Sequence, residues 1–138
     1  MYSGHFNILI ADDDEDDHFL LADSFRIHNS TQVRITSVKN GDELMSKLDF
    51  LARNGEALPD GIILDINMPM MDGMEALKRI KADKRLRRIP VYMVTTLRNM
   101  DKLEACLESG AANFFTKPNH TREYVKIVRE IMEGVLQN

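Results

Sequence analysis

Cysteine is almost missing from this 138-residue chain: Cys106 stands alone, so no internal disulfide can form. A reducing compartment suits such a chain. No apolar run approaches the roughly 18 to 20 residues of a membrane span. The stretch Met1 to Asn7 lacks the basic-then-apolar layout of a secretory leader, and the expected location is the cytoplasm. A basic excess is also missing. The net charge is -4 and the isoelectric point about 5.5, which speaks against nucleic-acid binding by bulk electrostatics. Neither nucleic acid nor membrane is an expected partner. Repeats, low-complexity tracts and linker-like stretches are absent as well. With 43% hydrophobic and 29% charged residues, the composition is that of an ordinary globular protein, and the length suits one domain with a sizeable core.

Five short apolar runs alternate with five patterns of helical period. The runs are Asn7 to Ala11, Val33 to Val38, Gly61 to Asp65, Val91 to Thr95 and Ala112 to Thr116. The clearest helical stripe is the last, with Tyr124, Val125, Val128, Ile131, Met132 and Val135 on one face and Arg122, Lys126, Arg129 and Glu133 opposite. The first helix turns Leu20, Leu21, Ser24 and Phe25 inward, with Asp14 as its N-cap. The second is expected from about Gly41 to Leu51 and the third from about Met74 to Ala82. The fourth is expected from about Asn99 to Ser109, ending at Gly110. Continuously apolar strands separated by helices indicate an α/β fold with a parallel sheet covered on both faces. Right-handed crossovers favour the strand order 2-1-3-4-5, with a switch point between the first and third strands. The fifth helix runs to the chain end, so a single domain over 1–138, core about 6–136, is expected with no output domain.

Charged residues stand where these runs end. Asp12 and Asp13 close the first, Asp65 the third, and Lys117 follows the fifth. In a parallel sheet all would meet at one edge. Carboxylates crowd together only with a counter-charge, so the pattern asks for a divalent metal and an anionic ligand. Asp65 has a bland reading, as a helix cap or salt-bridge partner, and a functional one, as nucleophile or metal ligand. Pro69 ends the strand region after it, and Asp72-Gly73 turns the chain into the third helix. The acidic run Asp12 to Asp17 is partly a helix start favoured by the dipole, which accounts for Glu15, Asp16 and Asp17 but not for Asp12 and Asp13. A calcium loop fails, because Asp17 stands where glycine is needed and Asp23 where a bidentate Glu is needed. Thr95 offers a hydroxyl to an anionic oxygen. Lys117, preceding Pro118, is held extended, and the bond between them is a cis candidate.

Four motifs, in order, carry a resemblance. They are Ile8-Leu9-Ile10-Ala11-Asp12-Asp13-Asp14, Ile63-Leu64-Asp65-Ile66-Asn67-Met68-Pro69-Met70-Met71-Asp72-Gly73, Val94-Thr95-Thr96 and Phe114-Phe115-Thr116-Lys117-Pro118. Over roughly Phe6 to Leu136 the chain resembles the receiver domains of two-component response regulators, in particular the stand-alone chemotaxis-type and phytochrome-associated regulators. The resemblance implies a flavodoxin-like fold. It implies that Asp65 takes a phosphoryl group from a histidine of a partner kinase or phosphotransfer protein. It further implies Mg2+, with Mn2+ as a substitute, held by Asp13, Asp65 and the backbone carbonyl of Asn67, with Asp12 on a water ligand. Lys117 and Thr95 would bind phosphoryl oxygens. Thr95 and Phe114 would then switch a face made by the fourth helix, fifth strand and fifth helix toward a downstream protein, and homodimerisation through that face is open.

Thr96 and Phe114 depart from the common pattern of that family. Thr96 is bulkier than the usual small residue and is expected to slow small phosphodonors. Phe114 lacks the hydroxyl of the usual tyrosine. Asn67 and Leu97 lie where the family tunes phosphate lifetime. A haloacid-dehalogenase-like phosphohydrolase would need an acid two residues after Asp65, where Asn67 stands. A flavodoxin-like electron carrier would need a Ser/Thr/Gly-rich phosphate loop after the first strand, where the acidic run stands. A degenerate receiver would not keep the complete acid, Thr and Lys set. Of the rest, Lys81, Lys84, Arg85, Arg87 and Arg88 read as a solvated basic face, Cys106 as inert packing, and Met68, Met70, Met71 and Met74 as adaptable packing. His5, His18, His28 and His120 have no metal-ligand spacing.

Overall fold

The computed structural model describes residues 6–28, 33–96, 99–118 and 120–136. Ten elements alternate along them: β1 (Phe6–Ala11), α1 (Glu15–His28), β2 (Val33–Val38), α2 (Gly41–Arg53), β3 (Gly61–Leu64), α3 (Gly73–Ala82), β4 (Val91–Thr95), α4 (Met100–Glu108), β5 (Asn113–Thr116) and α5 (Thr121–Leu136). The strands form one parallel sheet in the order β2-β1-β3-β4-β5, as the alternation of runs indicated.

The sheet is covered on both faces, and strand geometry explains how one short run feeds two cores. Successive side chains point to opposite faces. Ile8 and Ile10 therefore join Leu21 and Phe25 of α1 and Tyr124, Val128 and Ile131 of α5. Leu9 and Ala11 join Leu44 and Leu48 of α2, Leu77 and Ile80 of α3, and Leu103 and Cys106 of α4. Cys106 is fully buried there, in line with the packing reading, and burial pushes its thiol up.

Element ends follow local chemistry. The Asp14 carboxylate accepts the backbone N–H groups of Asp16 and Asp17, capping α1. Asn40 caps α2 by accepting the Glu43 N–H, a cap the sequence reading did not name; α2 starts at Gly41 as expected and runs two residues past Leu51. Asp72 caps α3 from Gly73, and Asn99 caps α4. Gly110 ends α4 with φ of 108°, where an L side chain is disfavoured. Lys81 leaves the basic face expected for it: its ammonium donates to the carbonyls of Arg87 and Ile89, tying the α3–β4 turn. Met68 and Met71 are buried, whereas Met70 is exposed with φ of 69°. His5 and Leu97 lie outside the described residues, as does the side chain of His28. Among the described residues no helix is long and apolar enough to cross a membrane.

Candidate functional site

Strand register brings the site residues to one edge. Ala11 pairs with Leu64, and Thr95 with Thr116, so β1 ends level with β3 and β4 with β5; Leu64 pairs with Met93, so the β4 end lies two residues further along the same edge. The residue after each end is tied to a neighbour by its backbone. Asp12 N–H donates to Val38 O (3.1 Å), Asp65 N–H to Ala11 O (3.0 Å) and Lys117 N–H to Thr95 O (2.8 Å). The side chains of Asp12, Asp65 and Lys117 thus start from fixed points.

These three side chains converge. The Lys117 ammonium lies 2.7 Å from Asp12 Oδ2 and 3.1 Å from Asp65 Oδ2. All are buried: Asp12 is 3% exposed, Asp65 5% and Lys117 8%. Breaking such a pair by removing one partner leaves a buried charge uncompensated, which costs more than the pair contributes. Burial pushes the Asp12 carboxyl up to about 6, because the hydrogen bonds from Lys117 and the Asp14 N–H offset desolvation only in part and the Asp65 charge adds to it. Burial alone would lower Lys117; hydrogen bonds to Asp12 and Asp17 and the charge of Asp65 override it and hold the ammonium well above its ordinary value.

Asp13 is exposed at the mouth of the same cup. Oxygens of Asp12, Asp13 and Asp65 all lie within 4.8 Å of one another. Three hard carboxylate donors at that spacing fit a divalent cation of the Mg2+ or Mn2+ kind. Asn67 is exposed, and its N–H donates to Asp65 Oδ1 (3.3 Å). Thr95 is fully buried at the end of β4, and its carbonyl receives Lys117. Phe114 is half-buried and packs against the core on the α2–α3–α4 side. Gly73 supports the Asp65 backbone: its N–H donates to Ile66 O (2.9 Å), and a Cβ at this position would fall 2.1 Å from Asp65 O.

Two features differ from the sequence reading. The Lys117–Pro118 bond is not cis, since no cis peptide occurs among the described residues. The trans form is the lower-energy isomer by about 0.5–1 kcal/mol for a prolyl bond, and with it the Lys117 ammonium already reaches both carboxylates. Asp17 does more than serve the helix dipole. Its Oδ2 lies 2.7 Å from Lys117 Nζ, and its Oδ1 accepts the Tyr124 hydroxyl at 3.3 Å. The available signal was Tyr124 itself, a phenol in an otherwise aliphatic stripe, since a buried tyrosine hydroxyl needs a partner. His18, read only as lacking metal-ligand spacing, brings its Nε2 to the Asp12 carbonyl oxygen. No sequence pattern announced that contact.

Residues 8–129 match the family described as the response regulator receiver domain. The structure superposes on the phosphorylated cyanobacterial phytochrome response regulator RcpA with a TM-score of 0.85 at 30% identity, covering 96% of this chain and 95% of that one. The Mn2+-bound form of response regulator Rcp1 gives a TM-score of 0.80 at 28% identity, covering 93% and 92%. Among sequence relatives, the two-component response regulator-like protein APRR1 of Arabidopsis thaliana is 32% identical over 120 residues, 87% of this chain but 18% of the plant protein. The probable methanogenesis regulatory protein FilR2 of Methanothrix harundinacea is 30% identical over 93% of this chain and 82% of its own length. An ammonium and three carboxylates gathered at the ends of β1, β3 and β5 are thus set in a fold and a sequence of one kind, and the chain belongs to the response regulator receiver domain family of two-component systems.

Proposed function

We propose that the chain is a response-regulator receiver domain whose Asp65 accepts a phosphoryl group from a phosphohistidine of a partner kinase or phosphotransfer protein. A carboxylate oxygen of Asp65 attacks phosphorus. The P–N bond breaks, its electron pair returns to the imidazole, and an acyl phosphate remains on Asp65. The observation that carries this reading is the approach of Lys117 Nζ to Asp65 Oδ2 at 3.1 Å inside a buried acidic cup. A preorganised ammonium beside the acceptor neutralises charge as it develops on the phosphoryl oxygens. The Thr95 hydroxyl is assigned to the same oxygens. Asp12, Asp13, Asp65 and the Asn67 carbonyl would hold Mg2+, with Mn2+ as a substitute, and the cation would supply charge neutralisation.

With about two added charges on Asp65 at neutral pH, Thr95 and Phe114 are the assigned switch residues. The responding surface is α4–β5–α5, which would dock a downstream protein or a second copy of this chain. The domain spans about 6–136 and works in the cytoplasm. Asn67 opposes the phosphohydrolase reading, because an amide cannot serve as the acid/base that such an enzyme needs there.

Intact-mass measurement after incubation with Mg2+ and acetyl phosphate, or with a phosphorylated kinase, tests the reading. One phosphoryl adduct is expected on the wild type and none on Asp65→Asn. An equal adduct on both would refute Asp65 as acceptor.

A further inference from the structure

We propose that Asp17 is a positioning residue for Lys117 and that the Tyr124 hydroxyl holds it in that role. The inference rests on the reading of Asp65 as phosphoacceptor. An ammonium has three N–H donors. Three carboxylates meet that of Lys117: Asp12 and Asp17 at 2.7 Å each and Asp65 at 3.1 Å. Two of these have other work. Asp65 is the acceptor, and Asp12 belongs to the carboxylate trio that suits a divalent cation. Asp17 lies outside that trio and comes from a different element, the first turn of α1.

Its other oxygen is anchored. Tyr124 sits on α5 at 1% exposure, its ring packed in the core with Phe25, Ile10 and Val128, and its hydroxyl donates to Asp17 Oδ1 at 3.3 Å. A lysine ends in a compact charge on a flexible four-carbon stem. A carboxylate pinned between α1 and α5 removes that freedom and keeps the ammonium over the Asp65 oxygens. As the phosphoryl group forms, Lys117 exchanges its longest contact for a phosphoryl oxygen and keeps Asp17. Service to the helix dipole alone does not account for Asp17, because exposed Glu15 and Asp16 already carry charge in the same turn.

Two readouts test this on the full chain. The first is the rate of phosphorylation by acetyl phosphate in saturating Mg2+, followed by intact mass. Asp17→Asn is expected to slow the maximal rate about tenfold, the loss of one charge-assisted hydrogen bond. The donor concentration at half-maximal rate should stay unchanged. Tyr124→Phe, which keeps the ring, should slow it about threefold, because the lost bond is long at 3.3 Å and acts on Lys117 only through Asp17. The double variant should be no slower than Asp17→Asn. Asp16→Asn removes the same charge one residue earlier and should keep the wild-type rate. The second readout is the nitrogen-detected NMR signal of the Lys117 ammonium without metal, which should be protected from solvent exchange in the wild type and lost in Asp17→Asn. If Asp17→Asn does not fold, Tyr124→Phe carries the test, with a slowed rate and a weakened ammonium signal expected. Wild-type rates and an intact ammonium signal in the folded variants would overturn the proposal and leave the phosphoacceptor reading standing. A wild type that takes no phosphoryl group would remove both.

Discussion

Replacing Gly73 by Ala sets helix propensity against a steric limit, and the geometry says which wins. An added Cβ would lie 2.1 Å from Asp65 O, 2.8 Å from Asp65 C and 2.8 Å from Ile66 Cα. All three atoms are backbone, so no side chain can swing aside. Ordinary carbon–oxygen contact begins near 3.3 Å, so the chain must open by about 1 Å. Alanine would favour the helix by roughly 0.5–1 kcal/mol. Forcing a methyl into packed backbone costs about 1–3 kcal/mol. At mid-range the net is a loss of about 1.3 kcal/mol, or about 4 °C in Tm at some 2.1 cal/mol/K of unfolding entropy per residue over 138 residues. The strained atoms belong to Asp65, the proposed acceptor. An outward shift of about 1 Å takes the Asp65–Lys117 contact from 3.1 Å past hydrogen-bond range. A misplacement of that size can cost about a hundredfold in rate. Melting by circular dichroism and phosphorylation by intact mass measure both effects. A Gly73→Ala protein with wild-type Tm and rate would refute the reasoning.

Three further outcomes are expected. At Gly134, within α5, an added Cβ would meet the Tyr92 hydroxyl oxygen at 2.0 Å, so Gly134→Ala should destabilise in spite of a helix-propensity gain of about 1 kcal/mol. Adding Tyr92→Phe removes that oxygen, and the double variant should be more stable than Gly134→Ala by about 1 kcal/mol or more in urea titration; a Gly134→Ala protein more stable than wild type would contradict this. The Tyr124 phenol is pushed up to about 12 by burial and the neighbouring Asp17 charge, so the fold favours its neutral form, and its contribution is complete below the ordinary value of 10.0 and lost as pH rises toward 12. Ultraviolet titration should show a late-ionising tyrosine that Tyr124→Phe removes, and an unchanged titration curve would count against it. Thr96, exposed just past β4, is expected to hinder small phosphodonors, so Thr96→Ala should react faster with acetyl phosphate, and equal rates would remove that idea.

The architecture was legible because period carries it. Alternating apolar runs and 3.6-residue stripes gave the five strands, five helices and the strand order, and the switch-point rule put Asp12, Asp65 and Lys117 at one edge. Helix ends were less legible. Asn40 and Asn54 cap α2 through side-chain and backbone hydrogen bonds that periodicity does not encode. The Asp17–Tyr124 link was missed because each residue had a sufficient local explanation, one in the helix dipole and the other in an apolar stripe. Only packing α1 against α5 brings them together. Lys81 shows the same limit: Lys84, Arg85, Arg87 and Arg88 of its run are exposed, while its own ammonium turns back onto two carbonyls.

A crystal structure of the protein with Mg2+ and beryllofluoride, a mimic of the phosphoryl group, tests the central claim most directly. The account predicts beryllium bonded to an Asp65 oxygen, the cation on Asp13, Asp65 and the Asn67 carbonyl, and the Lys117 ammonium within hydrogen-bond distance of a fluorine. Beryllofluoride bound at another residue, or a Lys117 ammonium turned out to solvent with Asp65 loaded, would contradict it.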